Sequence, residues 1–393
     1  MPSGSDALEK ILSGFPRAEF DTLVETRRDI HRHPELAFEE IRTAERIAAR
    51  LHGLGLAPST GVGKTGVLAD AGGGAGKRLL VRADMDGLPV TEDSGEPFAS
   101  EHAGRMHACG HDGHVAIALA VAARIASDSG APPLRFLFQP AEERGGGARA
   151  CVADGAMDGV QGAIGLHLWN QMPVGKVGVY RGAMMAAVDE FEIEVVGRGG
   201  HGAAPHETSD PIVAAARIVG ALQGVVSREV SPLESAVVTV GSIHGGDAFN
   251  IIPSIVRLTG TVRWFGEATG KAMPAKLGRI VSGTAAASGV SARLDYRQIN
   301  RPVVNDPGVA DTVIGVARRL LGDENVDTET RTLGGEDMSE YLDRVPGCFF
   351  FVGSAPAGPH RPHHSPVFAI DERALAVGVV LLEAAAREVA KAS

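Results

Sequence analysis

Strand patterns alternate with helix patterns along most of this chain, and that alternation constrains its fold more than any other feature. Residues 65–71, 78–84, 134–139, 163–168 and 347–353 read as short apolar strands bounded by glycine or polar turns. Residues 21–56, broken at His33-Pro34, and residues 111–127 and 371–390 read as helices. The expected fold is α/β, a mostly parallel sheet sandwiched by helices.

Residues 187–299 depart from this rhythm. They open on an alternating strand (Val188, Phe191, Ile193, Val195). A helix follows, announced by Asp210-Pro211, a capping residue and a proline at the first helical position. Strands at 236–243 and 255–265, a helix at 267–288 and a strand at 291–298 complete a β-α-β-β-α-β order. That order describes an inserted α+β, ferredoxin-like domain. The expected organisation is a discontinuous domain, 1–186 and 300–393, interrupted by 187–299. The stretch from Arg301-Pro302 to Asp306-Pro307 reads as the returning linker.

With 393 residues the chain has ample core for two domains. Its 38 basic residues against 48 acidic ones leave a net charge of −10, which argues against nucleic acid or an anionic membrane as partner. Cys109, Cys151 and Cys348 are too few, and odd in number, for a disulfide framework. The N-terminal residues carry Asp6 and Glu9 and no apolar run, so a cytoplasmic location is expected.

Gly61-Val62-Gly63-Lys64-Thr65-Gly66 imitates a nucleotide-binding loop, but a strand pattern follows where a helix is required. It reads as a glycine turn. The chemically dense segment is Met106-His107-Ala108-Cys109-Gly110-His111-Asp112-Gly113-His114. A lone Cys-x-His is more often a buried cysteine beside surface histidines. Three histidines flanking one cysteine, with glycines that permit close approach, point instead to a soft metal site. Glu142 and Glu143 follow the 134–139 strand. Neighbouring side chains diverge, so one can ligate while the other stays free as a base. His167 sits in an apolar strand and reads equally well as a core histidine or a ligand. One of His360, His363 and His364 could close the site from far along the chain. Asp86, just after the 78–84 strand, suits a carboxylate placed behind a metal-bound histidine. Together these groups exceed the needs of one tetrahedral ion, and two bridged ions would use them. The implied chemistry is amide or ester hydrolysis.

The segments RADMDGLP, GRMHACGHDGH, FQPAEE, GLHLW, GRGGHGAAPH, FNIIP, GTVRWF and HSPVF resemble, in order and spacing, the dinuclear-metal amidohydrolase and aminoacylase family of metallopeptidases. Within it the chain resembles the branch of hippurate hydrolase, N-acyl-amino-acid amidohydrolases and plant auxin-conjugate hydrolases, from about Arg27 to the C-terminus. The resemblance implies Cys109, His111, Glu143, His167 and His364 as metal ligands, with Cys109 bridging. His364 is chosen because it alone precedes Ser-Pro-x-Phe. Glu142 matches the general base, Asp86 the acid behind a ligand, and His201 a stabiliser of the oxyanion. Asn250 and Arg263 match substrate-binding residues of a lid domain that also dimerises.

The expected cofactors are two divalent ions per subunit, of zinc, manganese, nickel or cobalt, and the expected substrate is a small N-acyl amino acid. The expected assembly is a homodimer or higher homo-oligomer. Where the family commonly has Glu-Asp-Phe near the substrate wall, this chain has Glu336-Asp337-Met338. Three rival readings are a carboxypeptidase or dipeptidase on small peptides, a non-catalytic metal or ligand binder, and a thiol enzyme with Cys109 as nucleophile. A binder has no use for Glu142, and a thiol enzyme has none for Glu143, His167 and His364.

Overall fold

The computed structural model describes residues 4–73 and 76–392. Two compact units divide the chain: Met1–Met184 with Val303–Arg331 and Glu336–Ser393, and Met185–Pro302 with Thr332–Gly335.

The first unit is built on an eight-stranded sheet. Its strands lie in the order Ser59–Val62, Gly66–Ala71, Leu134–Gln139, Arg78–Asp84, Val160–Pro173, Gly347–Ala355, Val177–Gly178, Val326–Asp327. The four central strands, from Leu134–Gln139 to Gly347–Ala355, are all parallel. Every residue of Leu134–Gln139 is buried, as expected of a strand covered on both faces. The helix His111–Ala126 is apolar almost all round and buried along most of its length. It shares a core with Val81, Phe136, Ile164, Leu166, Phe350 and Leu375.

Two local readings are refined. Ser59–Val62 pairs with Gly66–Leu68 as a hairpin, so the nucleotide-loop imitation is a turn at Gly63-Lys64-Thr65. The segment read as a linker ends in a helix, Pro307–Leu321. The Asp306 side chain accepts the N–H groups of Gly308 and Val309 at 2.9 and 3.0 Å, the same Asp-Pro start as at Asp210-Pro211.

The second unit carries an antiparallel four-stranded sheet, in the order Ala236–His244, Ile255–Trp264, Ala187–Val196, Ser291–Asn300. This is the ferredoxin-like order. Ala187, Phe191, Ile193 and Val195 point with period two into a separate core. The helices Pro211–Glu229 and Glu267–Ala287 supply Ala214, Ile218, Leu222, Met273, Leu277 and Val281 to it.

Candidate metal centre

The strand Arg78–Asp84 lies between Leu134–Gln139 on one side and Val160–Pro173 on the other. The chain visits the first neighbour, then crosses back to the second. A crevice opens at the carboxyl ends of strands at such a reversal, and the chemistry-bearing residues gather there. Asp84 ends the middle strand, and Asp86 follows it. Cys109 and Gly110 lead into the His111–Ala126 helix, with Gly110 at φ 91°, where a side chain would be strained. Glu142 and Glu143 follow the second strand, and His167 lies within the third.

Two triads share Cys109. In one, Cys109, His111 and His167 bring their donor atoms within 4.8 Å of one another; in the other, Cys109, Glu143 and His364 do so. The Cys109 Sγ lies 3.4 Å from His167 Nε2, and His364 Nε2 lies 3.2 Å from Glu143 Oε1. Two ions sharing one thiolate would need this arrangement. His111 Nε2 is 4.0 Å from Glu143 Oε1. Glu142 faces elsewhere as well, into a group with Glu336 and Asp337.

Hydrogen bonds assign the ring nitrogens. His111 Nδ1 lies 3.0 Å from the Asp86 main-chain oxygen, which places its proton there and leaves Nε2 free. His167 Nδ1 donates to the Leu168 oxygen at 2.8 Å, again leaving Nε2. His114 is different. Its Nε2 accepts the Leu168 N–H at 2.8 Å and its Nδ1 meets Asp84 at 2.6 Å, so both nitrogens are occupied. His363 Nε2 donates to the Leu168 oxygen at 3.0 Å. His360 is exposed. Of the three late histidines, only His364 joins Cys109 and Glu143.

The electrostatics suit cations. Burial, then Glu143, Glu142 and Asp84, pushes the Cys109 thiol well above its ordinary value. Such a thiol ionises only beside positive charge. His111 Nε2 is buried without a hydrogen-bond partner. An orphaned buried acceptor of this kind is rare, and a divalent ion satisfies it. The donor set therefore fits two such ions. Burial, then Glu336, Glu143, Asp337 and Asp86, also raises the Glu142 carboxyl well above the usual carboxylate range.

Beneath Glu142 lies a polar block that the sequence reading did not assemble. Arg82 is fully buried between Asp84 (2.6 Å), Glu336 (2.8 Å) and Asp337 (2.8 Å). Gln139 donates to Asp337 at 2.9 Å and accepts the Tyr341 hydroxyl at 3.0 Å. An arginine in a strand interior beside a Glu-Asp pair is the only signal in the sequence, and 255 residues separate Arg82 from Asp337. Met338, where the family commonly has phenylalanine, is fully buried in the same unit.

The remaining singled-out residues belong to the second unit. His201 is exposed in a two-residue strand paired with Ile251, and its Nδ1 accepts the Ala203 N–H at 3.0 Å. Asn250 is exposed next to it in space, its main-chain oxygen accepting from Gly202 at 2.8 Å. Arg263 lies opposite Val188 and Val237, half-buried. Among the described residues its guanidinium makes no hydrogen bond or ion pair.

A thiol, imidazoles and carboxylates gathered at the carboxyl ends of a mostly parallel sheet, with a further carboxyl beside them, define the class: a metal-dependent hydrolase. The chain belongs to Peptidase family M20/M25/M40, whose sequence profile matches residues 80–388. It is 41% identical over 356 residues to the N-acetyl-L-cysteine deacetylase of Bacillus subtilis, covering 90% of this chain and 84% of that protein. It is 37% identical over 385 residues to thermostable carboxypeptidase 2 of Saccharolobus solfataricus, covering 95% and 97%. Among solved structures, the YxeP protein of Bacillus subtilis, described as a dinuclear metal binding peptidase from the M20 family, superposes with a TM-score of 0.82. That pair is 34% identical and covers 96% of this chain and 99% of the other.

Proposed function

We propose that this protein hydrolyses the amide bond of small N-acyl amino acids, hippurate-like or N-acetylated, to a carboxylic acid and a free amino acid. The observation that carries this reading is a second carboxyl beside the donor set: Glu143 joins Cys109 and His364, while Glu142, grouped with Glu143 and His111, belongs to neither Cys109 triad and also faces Glu336 and Asp337. The similarity to a deacetylase of N-acetyl-L-cysteine supports the substrate class.

Cys109, His111, Glu143, His167 and His364 would hold two divalent ions, of zinc, manganese, nickel or cobalt. Ions held there would acidify a water and polarise the substrate carbonyl. Glu142 takes the proton of the attacking water and returns it to the departing nitrogen. Asp86 holds the His111 ring, and its carboxylate accepts the main-chain N–H groups of Glu142 and Glu143, both at 3.1 Å.

The second unit is read as a lid and dimerisation domain, in which Arg263 and Asn250 receive the substrate's carboxylate. His201 acts on the oxyanion of the partner subunit's site, and an active monomer would refute that arrangement. Three buried, unpaired cysteines suit a reducing cytoplasm, and no helix among the described residues is long and apolar enough to cross a membrane.

A second reading, a carboxypeptidase on small peptides, is favoured by the similarity to thermostable carboxypeptidase 2. Glu142→Gln tests the chemistry common to both. It should retain its metal content and lose turnover of N-acetyl and N-benzoyl amino acids by about 10²–10⁴-fold. Near-wild-type turnover would remove Glu142 as the base. Release of amino acids from dipeptides faster than from N-acyl amino acids would favour the second reading.

A further inference from the structure

Glu40 takes no part in the chemistry above, yet it is fully buried. No cationic side chain among the described residues pairs with it. A carboxylate buried without a cation is costly, and structures keep one only where hydrogen bonds hold it for a reason. Glu40 occupies the capping position of the Ile41–Gly53 helix but makes no capping bond. Glu35 does that work, accepting the N–H groups of Arg42 and Thr43 at 3.0 and 2.8 Å. The Glu40 side chain is thereby released to reach another part of the unit. Its Oε1 accepts the N–H of Ala141 at 2.9 Å, and its Oε2 accepts the Thr65 hydroxyl at 2.6 Å.

Ala141 is itself unusual. It is fully buried and left-handed, at φ 53°. Four non-glycine residues among those described share that conformation: Phe38, Lys64, Ala141 and His364. Ala141 is one partner of Glu40, Lys64 directly precedes the other, and Phe38 lies two residues before Glu40. The Lys64 ammonium also sits 4.0 Å over the Phe38 ring. Strain gathered at one place persists only when the surroundings over-determine it, and it gathers at functional sites. Directly after Ala141 come Glu142 and Glu143, whose own N–H groups are held by Asp86. The turn is thus gripped from both sides, by Glu40 on the first N–H and by Asp86 on the next two.

We propose that Glu40 is a positioning residue that locks Ala141 in its left-handed conformation and so aims Glu143 into the metal centre and Glu142 beside it. This rests on the reading of Glu143 as a metal donor. Without Glu40 the alanine relaxes to negative φ, and the two carboxylates that follow swing away together. Glu40 touches neither metal nor substrate in this role.

The test measures zinc affinity of the full chain by competition with a chelator, alongside kcat and KM. Glu40→Ala should bind zinc at least tenfold more weakly, within the 10–100-fold range found for residues behind a ligand. Its kcat should fall with KM little changed. Glu40→Gln should restore zinc affinity to within about threefold of wild type, because the amide oxygen can accept from Ala141 while its NH₂ donates to Thr65. Adding Ala141→Gly to Glu40→Ala should recover at least threefold in affinity, since glycine adopts the left-handed conformation freely.

Glu35→Ala is the control. It removes the cap of the same helix, so it should lower Tm and leave zinc affinity alone. The proposal is overturned if Glu40→Ala binds zinc like the wild type, or if Glu35→Ala weakens zinc as much as Glu40→Ala does. Should Glu40→Ala fail to fold, Glu40→Asp, which retains the charge but is one methylene too short to reach Ala141, replaces it with the same expectations. Glu143→Ala separates the two levels. If it leaves zinc affinity unchanged, the metal reading fails; if it weakens zinc while Glu40→Ala does not, only the present proposal fails.

Discussion

His111 Nδ1 lies 3.0 Å from the main-chain oxygen of Asp86 and 3.3 Å from its carboxylate. One residue thus fixes the proton of a candidate ligand on the far side of its ring and turns Nε2 inward. The same carboxylate holds the N–H groups of Glu142 and Glu143. Asp86→Ala should therefore lower divalent-metal affinity by about 10–100-fold, read by chelator competition. Unchanged affinity would mean that the ring and the turn hold their places without it.

Cys109 belongs to both donor triads. Serine is a poor ligand at neutral pH, so Cys109→Ser should weaken binding of both ions. Metal analysis after dialysis is expected to find fewer ions per chain than in the wild type. Two retained ions together with full activity would defeat the bridging role.

Arg263 is half-buried and has no hydrogen bond or ion pair among the described residues. A guanidinium in that state is ready for a carboxylate. An N-acyl amino acid should be cleaved with a higher kcat/KM than its amide. Arg263→Ala should erase most of that preference, about 1.5–3 kcal/mol for a hydrogen bond to a charged group. Equal rates on acid and amide in the wild type would rule out carboxylate recognition.

His31, which is not among the proposed metal ligands, provides a pH dependence of stability. Its ring is buried between Asp112 (2.8 Å) and Glu92 (3.1 Å). Burial opposes its charge and Arg27 repels it, but Asp112 and the bonds to both carboxylates prevail and raise it above its ordinary value. The folded protein therefore binds this proton more tightly than the unfolded chain does. The resulting stability is complete below about pH 6.5, the ordinary histidine value, and is lost as pH rises through the folded value. Urea midpoints of the metal-loaded protein should fall across that window, and His31→Gln should flatten the fall. Parallel pH curves for the two proteins would show that His31 is not charged in the fold.

Much of the architecture was legible because burial patterns are local. The alternation of Val188, Phe191, Ile193 and Val195 and the apolar run Leu134–Gln139 reveal strands in any context that buries one face or both. The dense motifs around Cys109 and Glu142 were legible for a similar reason, since ligands carried on one helix start or one turn are close in sequence. The helix at Pro307–Leu321 was missed although Asp306-Pro307 announces it as Asp210-Pro211 does; a proline beside Arg301-Pro302 reads equally well as a linker. Nothing local in the sequence reveals that Leu168 and Asp84 occupy both nitrogens of His114.

The sequence by itself determined the periodicity of the strands and helices, the insertion of a ferredoxin-like order, and the stock of soft and hard ligands. Only the tertiary structure decided which of those groups meet. Arg82 finds Glu336 and Asp337 some 250 residues away. Glu40 crosses to Ala141 because Glu35 has taken over the helix cap. His364 joins Cys109 and Glu143 while His363 turns to a backbone oxygen. Backbone patterning acts over a few residues, whereas hydrogen bonds and charge act through space. The partners of a buried polar atom are therefore set by which chain segments the core brings to the same crevice.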